Sequence, residues 1–427
     1  MEHHGPRGAD FPGGPQARRS FSLLVRSFRH RNFRLFFAGQ FISLIGTWMQ
    51  SVAVSWLVYR LTGSSLALGT VGFVSHLPVF ALGLWGGCLA DRRDKRWLLV
   101  TTQIAAMFQA VALAALTLTG TATVWQVGAL AMLLGVVNAV DMPTRQAFVV
   151  EMVGKEDLHN AIALNSSMFN SARVLGPALA GLLVAAVGEG MCFLLNAVSY
   201  LAVIASLVSM RLPPVTGCRV KEPMAARILE GLRHAWRDKA MRGILAGLGL
   251  TSLFGASFMI LLPVMTDAVL GHGAQGLGFL TAAMGVGSVA AALTLAVRPE
   301  SRGLGRIRLL AGLGFGASLA AFGLSRAFWL SLSVTPVLGF CLILFFAAAN
   351  TSLQLRSPDA LRGRVMALYS ITLVGMAPFG SLLAGWLASL IGAPATLAVC
   401  GAICALGVGV LAATLPAGDA QPSARAS

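Results

Sequence analysis

The sequence predicts an all-α polytopic membrane protein: twelve transmembrane helices in two six-helix pseudo-repeat bundles. Three observations carry that prediction. The chain is 56% hydrophobic and 11% charged, where a soluble domain carries about 25% charged residues, so it has too few charges to cover a water-facing surface; its mean hydropathy is +0.76. Twelve apolar runs approach or exceed the ~20 residues needed to cross a bilayer core. Between those runs, Lys and Arg collect in alternate connections.

Taken in order, the runs are 34–59, 68–90, 97–119, 123–141, 159–187, 190–210, 241–270, 276–297, 306–325, 328–354, 364–391 and 394–415. Residues 1–33 form a polar, basic N-terminal segment with no short apolar stretch and cleavage site, so no cleavable signal peptide is expected there. Residues 34–211 form the first bundle and 241–416 the second. They are separated by a charged central loop, 212–240, and followed by a tail, 417–427. Placing the N-terminus in the cytoplasm puts 29 of the 32 Lys and Arg residues on the cytoplasmic side, the asymmetry of the positive-inside rule. Arg60 and Arg326 fall outside and Arg173 falls within a span. Both termini are therefore expected in the cytoplasm, with the protein in the cell inner (cytoplasmic) membrane. The net charge of +16 reads as an orientation signal between spans, and no nucleic-acid partner is expected. Six scattered cysteines lack metal-ligand spacing and read as small packing residues.

The halves repeat. A shift of 204 residues places Ala163, Leu164, Gly176, Gly181 and Gly188 on Ala367, Leu368, Gly380, Gly385 and Gly392. A shift of 206 places Gly72, Phe73 and Arg92 on Gly278, Phe279 and Arg298. Two repeats about an axis along the membrane normal enclose a central cavity that can open to either side.

Four stretches carry more than topology. Between spans two and three lies Gly87-Cys88-Leu89-Ala90-Asp91-Arg92-Arg93-Asp94-Lys95-Arg96. Gly87 allows close helix contact, Asp91 can accept from a helix start or pair with a base, and Arg92, Lys95 and Arg96 sit at the interface. Together they can latch the two halves. A second stretch runs Asn138-Ala139-Val140-Asp141-Met142-Pro143-Thr144-Arg145, in which Asp141 and Arg145 read as part of a cytoplasmic gate network, with a proton site as the alternative. The third is Arg173-Val174-Leu175-Gly176-Pro177 followed by Gly181. The fourth, Leu361-Arg362-Gly363-Arg364-Val365-Met366, opens span eleven.

The first stretch resembles the signature Gly-x-x-x-Asp-Arg-x-Gly-Arg-Arg of the major facilitator superfamily, with Asp94 where the signature has glycine. The other three resemble the branch of that superfamily containing the enterobactin exporter and macrolide-efflux-type proteins, over about Arg31 to Pro416. Gly176, Pro177 and Gly181 are similar to the span-five motif of its antiporters. The resemblance implies a secondary active transporter that exports a small drug-like compound or siderophore by alternating access, with proton antiport, acting as a monomer. The alternatives are an importer or facilitator of a small metabolite and, remotely, a membrane-embedded enzyme. No paired catalytic residues, nucleotide-binding loop or metal motif is found, so neither enzyme activity nor a cofactor is expected.

Arg173 lies about 22 Å into span five at 1.5 Å per residue, near mid-membrane, where a cation needs a polar cavity or partner. It is a candidate for binding an anionic group or for coupling. Gln40, Asn138, Asn165, Asn170 and Asn350 are candidate cavity residues, as are Gln50, Gln109 and Asn196. Few carboxylates are available to carry a proton. Asp141 is expected to end span four on the cytoplasmic side, Asp267 to end span seven outside, and Glu189 to lie in the outer turn between spans five and six.

Overall fold

The computed structural model describes residues 26–154, 156–211, 224–297 and 303–415. The described residues form helices joined by short turns, and twelve stretches are long and apolar enough to cross a membrane. The chain is thus a multi-pass membrane protein of twelve spans. The first bundle contains α1 (Arg31–Thr62), α2 (Ser65–Arg92), α3 (Lys95–Leu118), α4 (Val124–Val153), α5 (Leu158–Val187) and α6 (Glu189–Val208). A connecting helix follows, α7 (Met224–Arg237). The second bundle contains α8 (Lys239–Val264), α9 (Gly273–Val297), α10 (Leu304–Leu324), α11 (Phe328–Arg356), α12 (Asp359–Gly375), α13 (Ala377–Ile391) and α14 (Ala393–Thr414). We call the side holding Arg31 and Lys95 the basic end and the other the far end.

Side chains close the helix ends where the sequence supplies them. Asp94 accepts from the Trp97 amide at 3.1 Å and so starts α3, which explains an aspartate at this turn. Thr123 and Gln126 form a capping box on α4. Gly188 and Gly392, paired by the 204-residue shift, hold the same left-handed backbone, φ 82° and φ 81°, between α5 and α6 and between α13 and α14. Both turn a span back with no intervening loop.

Glycine sets the crossings. A Cβ on Gly176 would lie 2.5 Å from Trp48 of α1, and one on Gly380 would lie 2.1 Å from the Leu253 carbonyl of α8. Between the bundles, Gly181 faces Gly278 and Gly385 faces Gly69, backbone against backbone. Each half thus uses its fifth span against the other half's second, as the repeat requires. These contacts lie towards the far end. There one hydrophobic cluster joins both halves, with Leu57, Leu113 and Phe193 from the first and Phe258, Phe322 and Leu397 from the second. Towards the basic end the cores separate. Phe33, Phe36, Phe148 and Tyr200 belong to one, and Met241, Ile244, Val365 and Tyr369 to the other.

Three elements differ from expectation. First, α4 continues to Val153, twelve residues beyond the predicted end at 141, because Phe148, Val149, Met152 and Val153 pack into the first core. Pro143 interrupts one hydrogen bond there without ending the helix. Second, the eleventh span breaks at Met376, just before Pro378 starts α13 without a donor. Span seven closes with a π-turn, Met265–Val269. Third, the central segment holds α7, whose apolar positions Ile228, Leu229, Leu232 and Ala235 recur at helical spacing. Arg364 pairs with Glu230, and Ala235 packs with Met241 and Val365, so α7 belongs with the second half; Asp238, which caps α8, pairs with Arg356 at 3.6 Å.

The start of α1 is tied to the start of α5. Asp157, whose side chain is fully buried, accepts from His30 at 2.7 Å and pairs with Arg26 and Arg29 at 2.7 and 2.8 Å. The Ser27 amide donates to Asn160 at 2.8 Å. The His30 hydrogen bond, helped by Arg26 and Arg29, holds the Asp157 carboxyl below the usual carboxylate range.

A depressed carboxyl stabilises above its unfolded value and loses that contribution as pH falls through its folded value. Asp157→Asn should therefore lower the melting temperature at neutral pH, with the deficit relative to wild type vanishing in strong acid; a deficit that grows with acidity would contradict this. Gly287→Val, whose Cβ would sit 1.8 Å from the Pro336 carbonyl, should cost about 1–3 kcal/mol by overpacking. Gly83→Val, which meets nothing within 4 Å, should leave thermal unfolding in detergent unchanged.

Candidate functional site

The turn between α2 and α3 was expected to latch the two halves. Its side chains instead serve the first half. Lys95 pairs with Glu151 at the end of α4, 2.7 Å away, with both side chains mostly buried. Arg96 donates to the Leu207 carbonyl at 2.7 Å and to that of Val208, satisfying the open end of α6. Asp91 and Arg92 are exposed, and the capping role expected of Asp91 is taken by Asp94. The close-contact glycine is Gly86, one residue before the predicted Gly87. A Cβ there would lie 2.0 Å from the Ala139 carbonyl, whereas one on Gly87 would reach only Pro143 at 4.0 Å. Ala139 is four residues before Pro143, so its carbonyl has lost its helical donor, and α2 packs its bare backbone against that point.

Asp141 was expected to end a span and face a gate. The longer α4 places it about 18 Å from that helix's basic end at 1.5 Å per residue, and it is 1% exposed. Its carboxylate accepts from Thr102 at 2.9 Å and Gln103 at 2.7 Å, both on α3, and pairs with Arg145 one turn along α4. These partners lie inside the first bundle rather than between the halves. Two polar atoms beside this carboxylate are buried without a partner among the described residues, Gln103 Oε1 and Arg145 Nε.

Arg173 lies where α5 meets the second half. A Cβ on Gly285 of α9 would sit 3.2 Å from the Arg173 carbonyl and 2.8 Å from Val174. The guanidinium lies 5.7 Å from the centre of the Trp48 ring, which in turn meets Phe169 edge-on at 5.7 Å. No carboxylate pairs with Arg173 among the described residues. A stacked cation held by an aromatic face retains free donors. Phe169 is 41% exposed, so this aromatic group borders open space.

The remaining polar candidates divide. Asn138, Asn165 and Asn170 are partly exposed; Asn170 donates to the Ser166 carbonyl at 2.9 Å. Asn350 accepts from Gln354 at 2.6 Å. Gln40, by contrast, is 3% exposed within the first bundle and lines no open cavity. Gln50, Gln109 and Asn196 are also withdrawn from the cavity. Gln50 donates to Gln109 at 3.0 Å and accepts from Asn196 at 2.8 Å, a buried chain binding α1, α3 and α6. Glu151 had no sequence signal beyond its place in the connection between the predicted fourth and fifth spans, 142–158. Among the described residues no cluster of His, Cys, Asp or Glu could hold a metal ion.

These features match known proteins along nearly the whole chain. The family described as transmembrane secretion effector matches residues 24–426. Three relatives are 26% identical. They are a staphyloferrin A transporter of Staphylococcus aureus (86% of this chain, 92% of the relative), the multidrug efflux pump Tap of Mycolicibacterium fortuitum (87% and 92%), and the enterobactin exporter EntS of Escherichia coli (84% and 86%). Among solved structures, a bacterial homologue of the lysosomal transporter Spinster in an inward-facing, occupied conformation aligns with TM-score 0.71 at 14% identity, over 95% of this chain and 99% of that one. The nucleoside transporter NupG aligns with TM-score 0.71 at 12% identity, over 92% and 99%. Twelve spans in two glycine-joined halves, with this sequence likeness from end to end, place the chain in the transmembrane secretion effector family of the major facilitator superfamily: it is a membrane transporter of small molecules, not an enzyme.

Proposed function

We propose that this transporter exports an anionic small molecule, of the siderophore or drug-like kind, in exchange for protons. Both termini lie in the cytoplasm, and the basic end is the cytoplasmic face. On that orientation the described conformation is inward-facing. The halves meet through Gly181–Gly278 and Gly69–Gly385 at the outer side, and their cores separate towards the cytoplasm.

The observation that carries the substrate reading is Arg173. It stands near mid-membrane, beside the contact between halves, with an aromatic partner and, among the described residues, no paired carboxylate. A cation in that setting is costly unless something anionic visits it. A ligand that supplies the charge gains a charge-assisted hydrogen bond, worth about 1.5–3 kcal/mol. The exposed aromatic edge of Phe169 beside Trp48 offers a surface for a planar group. The siderophore and multidrug names of the relatives support an outward direction.

Arg173→Ala should reduce transport of enterobactin or staphyloferrin A, tested in everted vesicles, by about 10- to 100-fold per folded molecule. Unchanged transport would remove Arg173 from the pathway, and uptake into right-side-out cells would reverse the direction. Gly181→Leu should prevent outer closure, leaving a thiol probe on the outer half of α9 permanently reactive. If reactivity matches wild type, the glycine contact does not gate the outer side.

A further inference from the structure

Of the described carboxylates in spans, most lie at an end. Asp91 and Glu151 are within three residues of a basic helix end, and Glu189 and Asp267 are at far ends. Asp141 alone lies deep, buried in the first bundle. Its ionised form is compensated by one cation, Arg145, and by two donors, Thr102 and Gln103. The facing groups are few. Thr102 and Gln103 on α3 carry no charge, α2 presents the bare backbone of Gly86 to the neighbouring turn, and Arg173 on α5 is turned onto Trp48. Tyr200 on α6, 3% exposed in the same core, is a further titratable group of this bundle among the described residues.

The surroundings also have capacity that the ionised pair leaves unused. Gln103 Oε1 is a buried acceptor with no donor, although a buried polar atom normally has a partner. A half-turn of that amide exchanges its donor for its acceptor. The acceptor would then face a carboxyl O–H. Arg145 is 22% exposed at its side chain against 1% for Asp141, so the cation has a route towards solvent that the carboxylate lacks.

We propose that Asp141 is the proton-carrying group of the transport cycle and that Arg145 is the cation it releases when the proton binds. The proton adds to the carboxylate, Gln103 accepts the new O–H, and the ion pair opens. The freed guanidinium turns towards the cavity, where it biases the equilibrium between the two open states. Loss of the proton reverses each step. This inference rests on the antiport reading above and adds which residue carries the coupling ion.

The test needs no known substrate. Infrared difference spectra of the full chain in lipid nanodiscs report carboxyl protonation across a pH titration. Spin labels at the basic ends of α2 and α12 report the spacing of the halves. Wild type should gain a protonated-carboxyl band on acidification and redistribute between two label distances. Asp141→Asn should lack that band and hold one distribution at all pH values, while Asp141→Glu should restore both. Arg145→Gln should keep the band and lose the redistribution, which provides a second route if Asp141→Asn does not fold. A wild type without any pH-driven redistribution would overturn the antiport reading itself. A normal response in wild type and equally in Asp141→Asn would leave antiport standing and remove Asp141 as the carrier. Failure of Asp141→Glu at unchanged melting temperature would reduce the residue to a structural role.

Discussion

Helices in lipid gain nothing by expelling water from between them, so their contacts depend on how closely the backbones approach. Here that approach is set by glycine. Gly176 and Gly380 seat the fifth and eleventh spans on the first and seventh, and Gly181, Gly278, Gly385 and Gly69 join the halves. At the glycine pairs the halves meet backbone to backbone, and the side chains around them, such as Phe73 and Phe379, are apolar, so separating them breaks little more than dispersion contacts. An interface of that kind suits surfaces that must come apart in every cycle. The contacts within each half, in contrast, are reinforced by hydrogen bonds such as Gln50 to Gln109 and Arg96 to the end of α6. The chain keeps its strong bonds inside the bodies and its weak ones between them.

The two deep charges are handled in opposite ways. Asp141 is enclosed by donors and a counter-ion within one half. Arg173 stands beside the surface between halves with only an aromatic face. A buried charge without compensation is expensive, so the first arrangement suits a charge balanced inside one body and the second suits a site completed by something else. Their separation on α4 and α5 of the same bundle allows a change at one to alter the setting of the other through a rigid body, without direct contact.

Much of the architecture was readable from the amino acids because it rests on one-dimensional rules. Span number follows from apolar length. The repeat was visible in Gly188 and Gly392, which the structure shows in matching left-handed turns. What could not be read was which way residues face. Gly86 rather than Gly87 meets the carbonyl freed by Pro143, a difference of one residue and 100° around a helix. Gln40, Gln50, Gln109 and Asn196 looked like cavity residues because polarity in a span suggests a cavity, yet they satisfy one another or lie buried inside the first bundle. Asp141 was assigned to a helix end because the polar residues after it resemble a boundary. The tertiary burial of Phe148 and Met152 carries the helix onward. The partner of Lys95 was hidden for the same reason, since Glu151 is distant in sequence and only the packing of α3 on α4 brings it close.

The docking of α7 on the second bundle has a mechanical meaning. With Glu230 paired to Arg364 and Ala235 packed in the second core, the connection between the two bodies reduces to residues 212–223. Such a stretch spans at most about 40 Å when fully drawn out, longer than a rocking step of a few helix diameters would demand. It keeps the halves at a high mutual concentration while leaving their pivot to the glycine seam.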